Sequence, residues 1–325
     1  MHHPSPITVE APTLGEIRDA AERLRGLVVR TPLVRLNAPE IPHEIWLKLE
    51  SLQPIGSFKL RGAGYAMLTT ARSMLDRGVY TASAGNMAQG VAWVARELGV
   101  PCTVVVPDHA PATKLAAVER LGGRVVKVPF ERWWQTLMEH GHPGIEGRFI
   151  HPVSDRRVMA GNGTVGLEIL TDLPDVDAVL VPFGGGGLST GIATAVRALS
   201  PRTRVYACEV ETAAPLRASL DAGEAMTTDY TPSFVDGIGG RSVLAEMWPL
   251  VREMLDGARS ASVAEIADAV RLLVERNRVV AEGAGAASVA VAAQGVPDAR
   301  RIVCVVSGGN IDTAKLVRIL AGEVP

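Results

Sequence analysis

Ala178-Val-Leu-Val-Pro-Phe-Gly-Gly-Gly-Gly-Leu-Ser-Thr-Gly-Ile-Ala-Thr-Ala-Val196 is the stretch on which the fold turns. An apolar run, Ala178–Phe183, passes through four consecutive glycines, Gly184, Gly185, Gly186 and Gly187, into a helical segment beginning at Leu188. A continuous apolar run, as opposed to an alternating one, marks a parallel strand covered on both faces. Strand, glycine loop and helix in that order form one βα unit of an open α/β sheet. A loop without side chains lets amide N–H groups converge on an anion at the helix N-terminus. A phosphate is the natural occupant, with a flexible turn as the alternative. No lysine follows in the P-loop pattern, so a nucleoside triphosphate is not indicated.

The same alternation extends outward in both directions. Strand-like runs at Val79–Ser83, Cys102–Pro107, Arg124–Pro129, Phe149–Val153, Arg204–Val210 and Ile302–Ser307 are separated by helical segments such as Met87–Leu98, Ala112–Leu121 and Ser189–Leu199. This predicts open α/β sheets, not a sandwich or a bundle. Thr13-Leu-Gly-Glu16 and Ser262-Val-Ala-Glu265 are capping boxes that start two further helices. Ligands of open α/β sheets sit beyond the carboxyl ends of the strands. Four of those ends carry polar or glycine-rich motifs: Ser83-Ala-Gly-Asn86, the tetraglycine, Glu209, and Ser307-Gly-Gly-Asn310. Gly161-Asn-Gly-Thr-Val-Gly166 matches the dinucleotide pattern, but it does not follow a strand and lacks the acid expected about 20 residues further on. It reads as a glycine-rich helix start packing closely on a neighbour.

Lys59 lies in Gly56-Ser-Phe-Lys-Leu-Arg-Gly-Ala63. Gly56 and Ser57 read as a helix start, with Ser57 as N-cap and the helix running from Phe58 to Arg72. An ammonium group in the first turn faces the positive end of the helix dipole. That position favours the free amine, which attacks carbonyls. Taken alone, a solvated surface lysine is the more frequent case.

At 325 residues, one large or two medium domains are expected. Net charge is -2, and aromatic residues make up 4%, so neither nucleic acid nor an anionic membrane is an expected partner. No apolar stretch is long enough to span a bilayer, and Met1-His-His-Pro-Ser-Pro-Ile lacks the regions of a signal peptide. Cys102, Cys208 and Cys304 each lie in an apolar strand-like run and read as buried reduced thiols. A cytoplasmic protein is expected. His140-Gly-His142 reads as a solvated loop and the segment around Trp133-Trp134 as a loop-rich excursion near an interdomain cleft; His151, before Pro152 at a strand end, reads as structural, with a place near the site as the alternative.

Once assembled, the lysine, the tetraglycine, the Ser-x-Gly-Asn loop and the late Ser-Gly-Gly-Asn resemble the fold-type-II pyridoxal-phosphate enzymes, especially threonine/serine dehydratases and serine racemases. The resemblance runs from Arg30-Thr-Pro-Leu-Val-Arg-Leu36 and Leu47-Lys-Leu-Glu50 to Asn310. It implies two open twisted α/β domains with pyridoxal 5'-phosphate in the cleft between them. The large domain would comprise 1–69 and 152–325, with a small domain, 70–151, inserted. It implies that Lys59 carries the cofactor and moves the Cα proton. Phe58 would pack on the ring, and Asn86 would bond its phenolic oxygen. Gly184 to Gly187 and Leu188 would hold the phosphate. Gly237 and Glu282 would line the ring, and Ser307 with Gly308 would meet its nitrogen side. Ser83, Ala84, Gly85, Asn86 and Met87 would receive the substrate carboxylate.

The implied activity is an ammonia-lyase (dehydratase) of an L-3-hydroxy amino acid such as threonine or serine, in a homodimer. A racemase, or a dehydratase of 3-hydroxyaspartate or an aryl-serine, is the alternative. Racemases of this group carry a second serine where Ala84 stands. Met87 replaces the usual histidine, which leaves room for a bulkier or less polar substrate. Glu209 and Ala213 match two parts of the metal site found in some relatives, but Pro215 stands in place of its acid, so no metal is implied. Fifteen residues follow Asn310, too few for the C-terminal regulatory domain of biosynthetic threonine dehydratases.

Overall fold

The computed structural model describes residues 9–325, so the N-terminal stretch read for a signal sequence lies outside them. The chain runs α1 (Leu14–Arg23), β1 (Leu33–Arg35), β2 (Glu44–Leu49), α2 (Lys59–Leu68), α3 (Arg72–Leu75), β3 (Val79–Ala82), α4 (Asn86–Leu98), β4 (Cys102–Pro107), α5 (Ala112–Arg120) and β5 (Arg124–Val128). It continues through α6 (Phe130–Met138), β6 (Arg148–Phe149), α7 (Arg156–Asp172), β7 (Ala178–Pro182), α8 (Gly187–Leu199), β8 (Arg204–Val210) and α9 (Pro215–Ala222). The last elements are α10 (Trp248–Met254), β9 (Gly257–Ala261), α11 (Val263–Leu272), α12 (Gly283–Ala293), β10 (Arg301–Val306) and α13 (Thr313–Leu320).

Two sheets result, as the alternation of apolar runs and helices predicts. One has six strands in the order β1-β2-β10-β7-β8-β9; the other has four in the order β5-β4-β3-β6. All pairings are parallel except that of β1 with β2. The reason for the continuous apolar runs is visible in β10. Ile302, Cys304 and Val306 point into the core against α11 and α12, while Val303 and Val305 point into the core against α8. The smaller sheet is covered likewise, by α4 and α5 on one face and α6 on the other. All three cysteines are buried and free, as read from their strands.

Both capping boxes form, at Thr13 with Glu16 and at Ser262 with Glu265. Three strands carried too little signal. β1 has three residues, β9 (Gly-Ala-Arg-Ser-Ala) is an edge strand without an apolar run, and β2 alternates charge with apolar residues. Phe149–Val153 is strand only in its first residue, because Pro152 opens a turn. Trp133 and Trp134 stand on α6, not on a loop-rich excursion; Trp133 packs towards the smaller sheet and Trp134 is exposed.

The glycines at 161, 163 and 166 lie in the middle of α7, not at its start, but the close packing is real. A Cβ on Gly161 would come 2.3 Å from the Arg61 carbonyl oxygen of α2, and one on Gly191 would come 2.2 Å from the Met159 carbonyl oxygen. Bare backbone on both helices lets α7 touch α2 and α8. Gly191→Ala tests this contact. Alanine ordinarily favours a helix by about 1 kcal/mol over glycine. Here the variant should instead lose about 2 kcal/mol or more in urea unfolding, because backbone cannot yield.

Candidate active site

Lys59 is the first residue of α2 and is part-buried. Its Nζ donates to the Pro152 carbonyl at 2.8 Å and lies 5.1 Å from the centroid of the Phe58 ring. Burial lowers its pKa to about 8, against the opposing pull of the Glu282 charge. The helix differs from the expected one in two ways. Phe58, not Ser57, takes the N-cap position, and the Ser57 hydroxyl is buried without a partner among the described residues. The helix also stops at Leu68, before a turn into the short α3. What holds the segment is backbone: the Phe58 amide donates to the Ser307 carbonyl, and the Gly309 amide donates to the Gly56 carbonyl. The end of β10 is thereby stitched to the residues before Lys59.

Three of the four motif-bearing strand ends converge. From β7 the chain enters Gly184–Gly186, with Gly186 in the left-handed region at φ 95°, and α8 begins at Gly187. Among the described residues, the amides of Gly185 to Ser189 meet no acceptor. A Cβ on Gly186 would meet Val251 at 2.7 Å, and one on Gly185 would meet Val153 at the same distance. From β3 the chain turns through Ser83, Ala84 and Gly85 into α4, whose first three amides, Asn86 to Ala88, likewise meet none. From β10 come Ser307, which is buried, and Gly308. Gly308 and Gly237 flank Glu282, where added Cβ atoms would lie 2.5 and 3.4 Å from its Oε1.

A polar chain crosses between the sheets here. Asn86 Nδ2 donates to Glu282 Oε1 at 2.8 Å, and Asn310 Nδ2 donates to Asn86 Oδ1 at 2.8 Å. Burial pushes Glu282 up to about 7, with the Asn86 hydrogen bond opposing. Asn310, quoted only as part of a motif, therefore orients Asn86. The His151-Pro152 pair at a strand end signalled a place near the site as the alternative to a structural histidine; the contacts of its turn with Lys59 and the glycine loop were not foreseen.

Two expectations are corrected. The Met87 side chain is 1% exposed and packs with Leu60, Val91 and Val106, so it does not line the cleft; only its amide faces that way. The fourth strand end does not join the site. Glu209 accepts from the amides of Leu216 and Arg217, capping α9, and burial pushes its pKa up to about 7.

Four helix N-termini, those of α2, α4, α8 and α12, thus surround one amine, an arrangement suited to an anionic ligand bearing a carbonyl. Residues 24–308 match the pyridoxal-phosphate dependent enzyme family, and the chain belongs to it. It is 38% identical to the L-threonine ammonia-lyase of Thermotoga maritima over 95% of this chain and 78% of that protein. It is also 38% identical to the catabolic L-threonine dehydratase of Escherichia coli (strain K12), over 96% of this chain and 98% of that one. Maize serine racemase superposes with a TM-score of 0.89 at 30% identity, covering 96% of this chain and 98% of that chain. The residues present fit the cofactor: unpartnered amides at Gly185–Ser189 suit its phosphate, and the depressed amine of Lys59 suits its carbonyl.

Proposed function

We propose that the chain is an ammonia-lyase converting a small L-3-hydroxy amino acid, threonine or serine, to a 2-oxo acid and ammonia by β-elimination. The observation that carries this reading is the Lys59 amine, part-buried at a helix start, with a pKa of about 8. The threonine-acting relatives named above support the substrate class. When bound, pyridoxal phosphate supplies a reactive carbonyl and a ring that withdraws electrons from the substrate Cα.

This chain's residues divide the remaining work. Amides of Gly184 to Gly187 and Leu188 hold the phosphate, and Phe58 packs along the ring. Asn86 would bond the phenolic oxygen, and Gly237 and Glu282 would wall that side. Ser307, beside Gly308, meets the ring nitrogen. A neutral hydroxyl there does not hold a proton on the ring nitrogen as an aspartate would, so the ring would withdraw less strongly, which suits elimination because the leaving hydroxyl relieves charge at Cα. The loop from Ser83 through Ala84 and Gly85 to Asn86 and Met87 receives the substrate carboxylate, using the unpartnered amides of Asn86 and Met87. Lys59 takes the Cα proton as a free amine and returns it to the departing β-hydroxyl, which leaves as water; tautomerisation and hydrolysis of the resulting enamine then yield the 2-oxo acid and ammonia.

Racemisation is the second reading, favoured by the similarity to maize serine racemase. Ala84 opposes it, since it offers no hydroxyl to reprotonate the other face. A panel of L-3-hydroxy amino acids, assayed for ammonia and 2-oxo acid, separates the two. Threonine or serine should give both products; inversion of a chiral amino acid without ammonia would replace the lyase by the racemase.

The larger domain is assigned to 1–69 and 152–325 and the smaller to 70–151, in line with the membership of the two sheets. A homodimer fits the exposed Val29, Leu52 and Val280, which Gln53 and Gly309 bring close together. A cytoplasmic location fits three buried free thiols. No helix among the described residues is long and apolar enough to cross a membrane.

A further inference from the structure

His151 is 2% exposed, and its Nδ1 accepts from the amides of Val153 at 3.1 Å and Ser154 at 2.7 Å. Those two bonds close the turn His151-Pro-Val-Ser154. The turn touches both halves of the site: Pro152 presents its carbonyl to Lys59 Nζ at 2.8 Å, and Val153 backs the glycine loop. Added Cβ atoms on Gly185 and Gly187 would lie 2.7 Å from Val153 Cγ2 and 2.7 Å from the Val153 carbonyl oxygen. Any shift of the turn therefore moves the amine's acceptor and the floor of the phosphate loop together.

We propose that His151 is a positioning residue, whose Nδ1 sets the 151–154 turn and through it aligns Lys59 with the Gly184–Gly187 loop. The inference rests on the cofactor roles given to Lys59 and that loop. His140 stacks on the imidazole at 4.3 Å between centroids, and Ser154 Oγ links His140, His151 and Glu246. The trio His140, His151 and Glu246 has the spacing of a metal site. It is not read as one, because Ser154 Oγ already joins His140 Nε2 and Glu246 Oε1 between them. Burial holds the ring neutral, lowering its pKa to about 3, which keeps that lone pair available.

The test compares His151→Asn, whose side-chain oxygen replaces Nδ1 as acceptor, with His151→Leu, which fills space without accepting. Pyridoxal phosphate affinity is read by equilibrium dialysis on the apoproteins, alongside kcat and KM. Two stranded buried amides should weaken cofactor binding about 10- to 100-fold in His151→Leu and lower kcat more than they change KM. His151→Asn should recover affinity to within about threefold of wild type. Equal losses in both variants, or none in His151→Leu, would overturn the proposal. Should His151→Leu not fold, ¹⁵N NMR of the wild-type apoprotein decides: the neutral Nε2–H tautomer at pH 7 is expected, and a proton on Nδ1 refutes the role. Wild-type protein that binds no pyridoxal phosphate would instead strike at the function proposed above.

Discussion

Lys59→Ala is expected to abolish turnover, by at least about a thousandfold, since the proposed proton-transfer group and cofactor anchor would be lost together. The fold should survive, because Lys59 makes one side-chain hydrogen bond, to Pro152. Cofactor should still bind, more weakly, through the glycine loop. In wild-type protein, borohydride should fix pyridoxal phosphate to the peptide containing Lys59, and mass spectrometry of the variant should find none. The lowered pKa adds a pH signature in the apoprotein. Labelling with an amine reagent should be half-maximal near pH 8 at Lys59, whereas an ordinary lysine labels near pH 10.4. Labelling of Lys59 at the ordinary pH would remove the basis for its role.

The second large effect lies two residues along the same helix. Arg61 is 1% exposed and pairs with Glu50 and Glu168, while Lys48 bonds Glu168 and the Thr31 carbonyl. Burial pushes Glu50 upward, but the charge and hydrogen bonds of Arg61 pull it below the ordinary carboxylate range. Arg61→Leu takes from the unexposed Glu50 carboxylate its hydrogen-bonded cation, leaving the neutral donors Thr31 and Gln53, and should cost about 3–5 kcal/mol in denaturant unfolding. The sign with pH follows. A depressed carboxylate stabilises the fold above its unfolded pKa, and that contribution is lost as pH falls through the folded value. Without Arg61 the carboxyl is raised instead, so the deficit of the variant should narrow as pH falls from 8 towards 5. Adding Glu50→Gln should restore part of the loss at pH 8. A deficit independent of pH, unrelieved by the second substitution, would show that the charge pair is not its source.

How much was legible follows from which residues interact locally. The buried strands announced themselves because parallel sheets need apolar residues on both faces, as in β7 and β10. Lys59 and the tetraglycine were legible because helix starts and glycine runs have local chemistry. Met87 misled because position in a motif does not reveal which way a side chain points; the first turn of α4 sends it into the smaller sheet's core. Ser57 misled because the backbone bonds from Ser307 and Gly309, some 250 residues away in sequence, fix the helix start without a side-chain cap. Tertiary pairing of that kind leaves no periodic trace. His151 reads as structural though its strand end puts it near the site, and Asn310 reads only within its motif, because each acts on groups that only the fold brings near.

The free amides at the starts of α4 and α8 carry a lesson for mutational mapping. Amides neither titrate nor differ between residue types, so this part of the anion affinity is written in the main chain. An alanine scan through 185–187 would report altered shape, since side chains there are excluded by Val153 and Val251, and would reveal no charged residue to blame. Groups proposed to hold a phosphate this way cannot be neutralised by pH across the physiological range. They can be exchanged only chemically, by replacing a single amide with an ester.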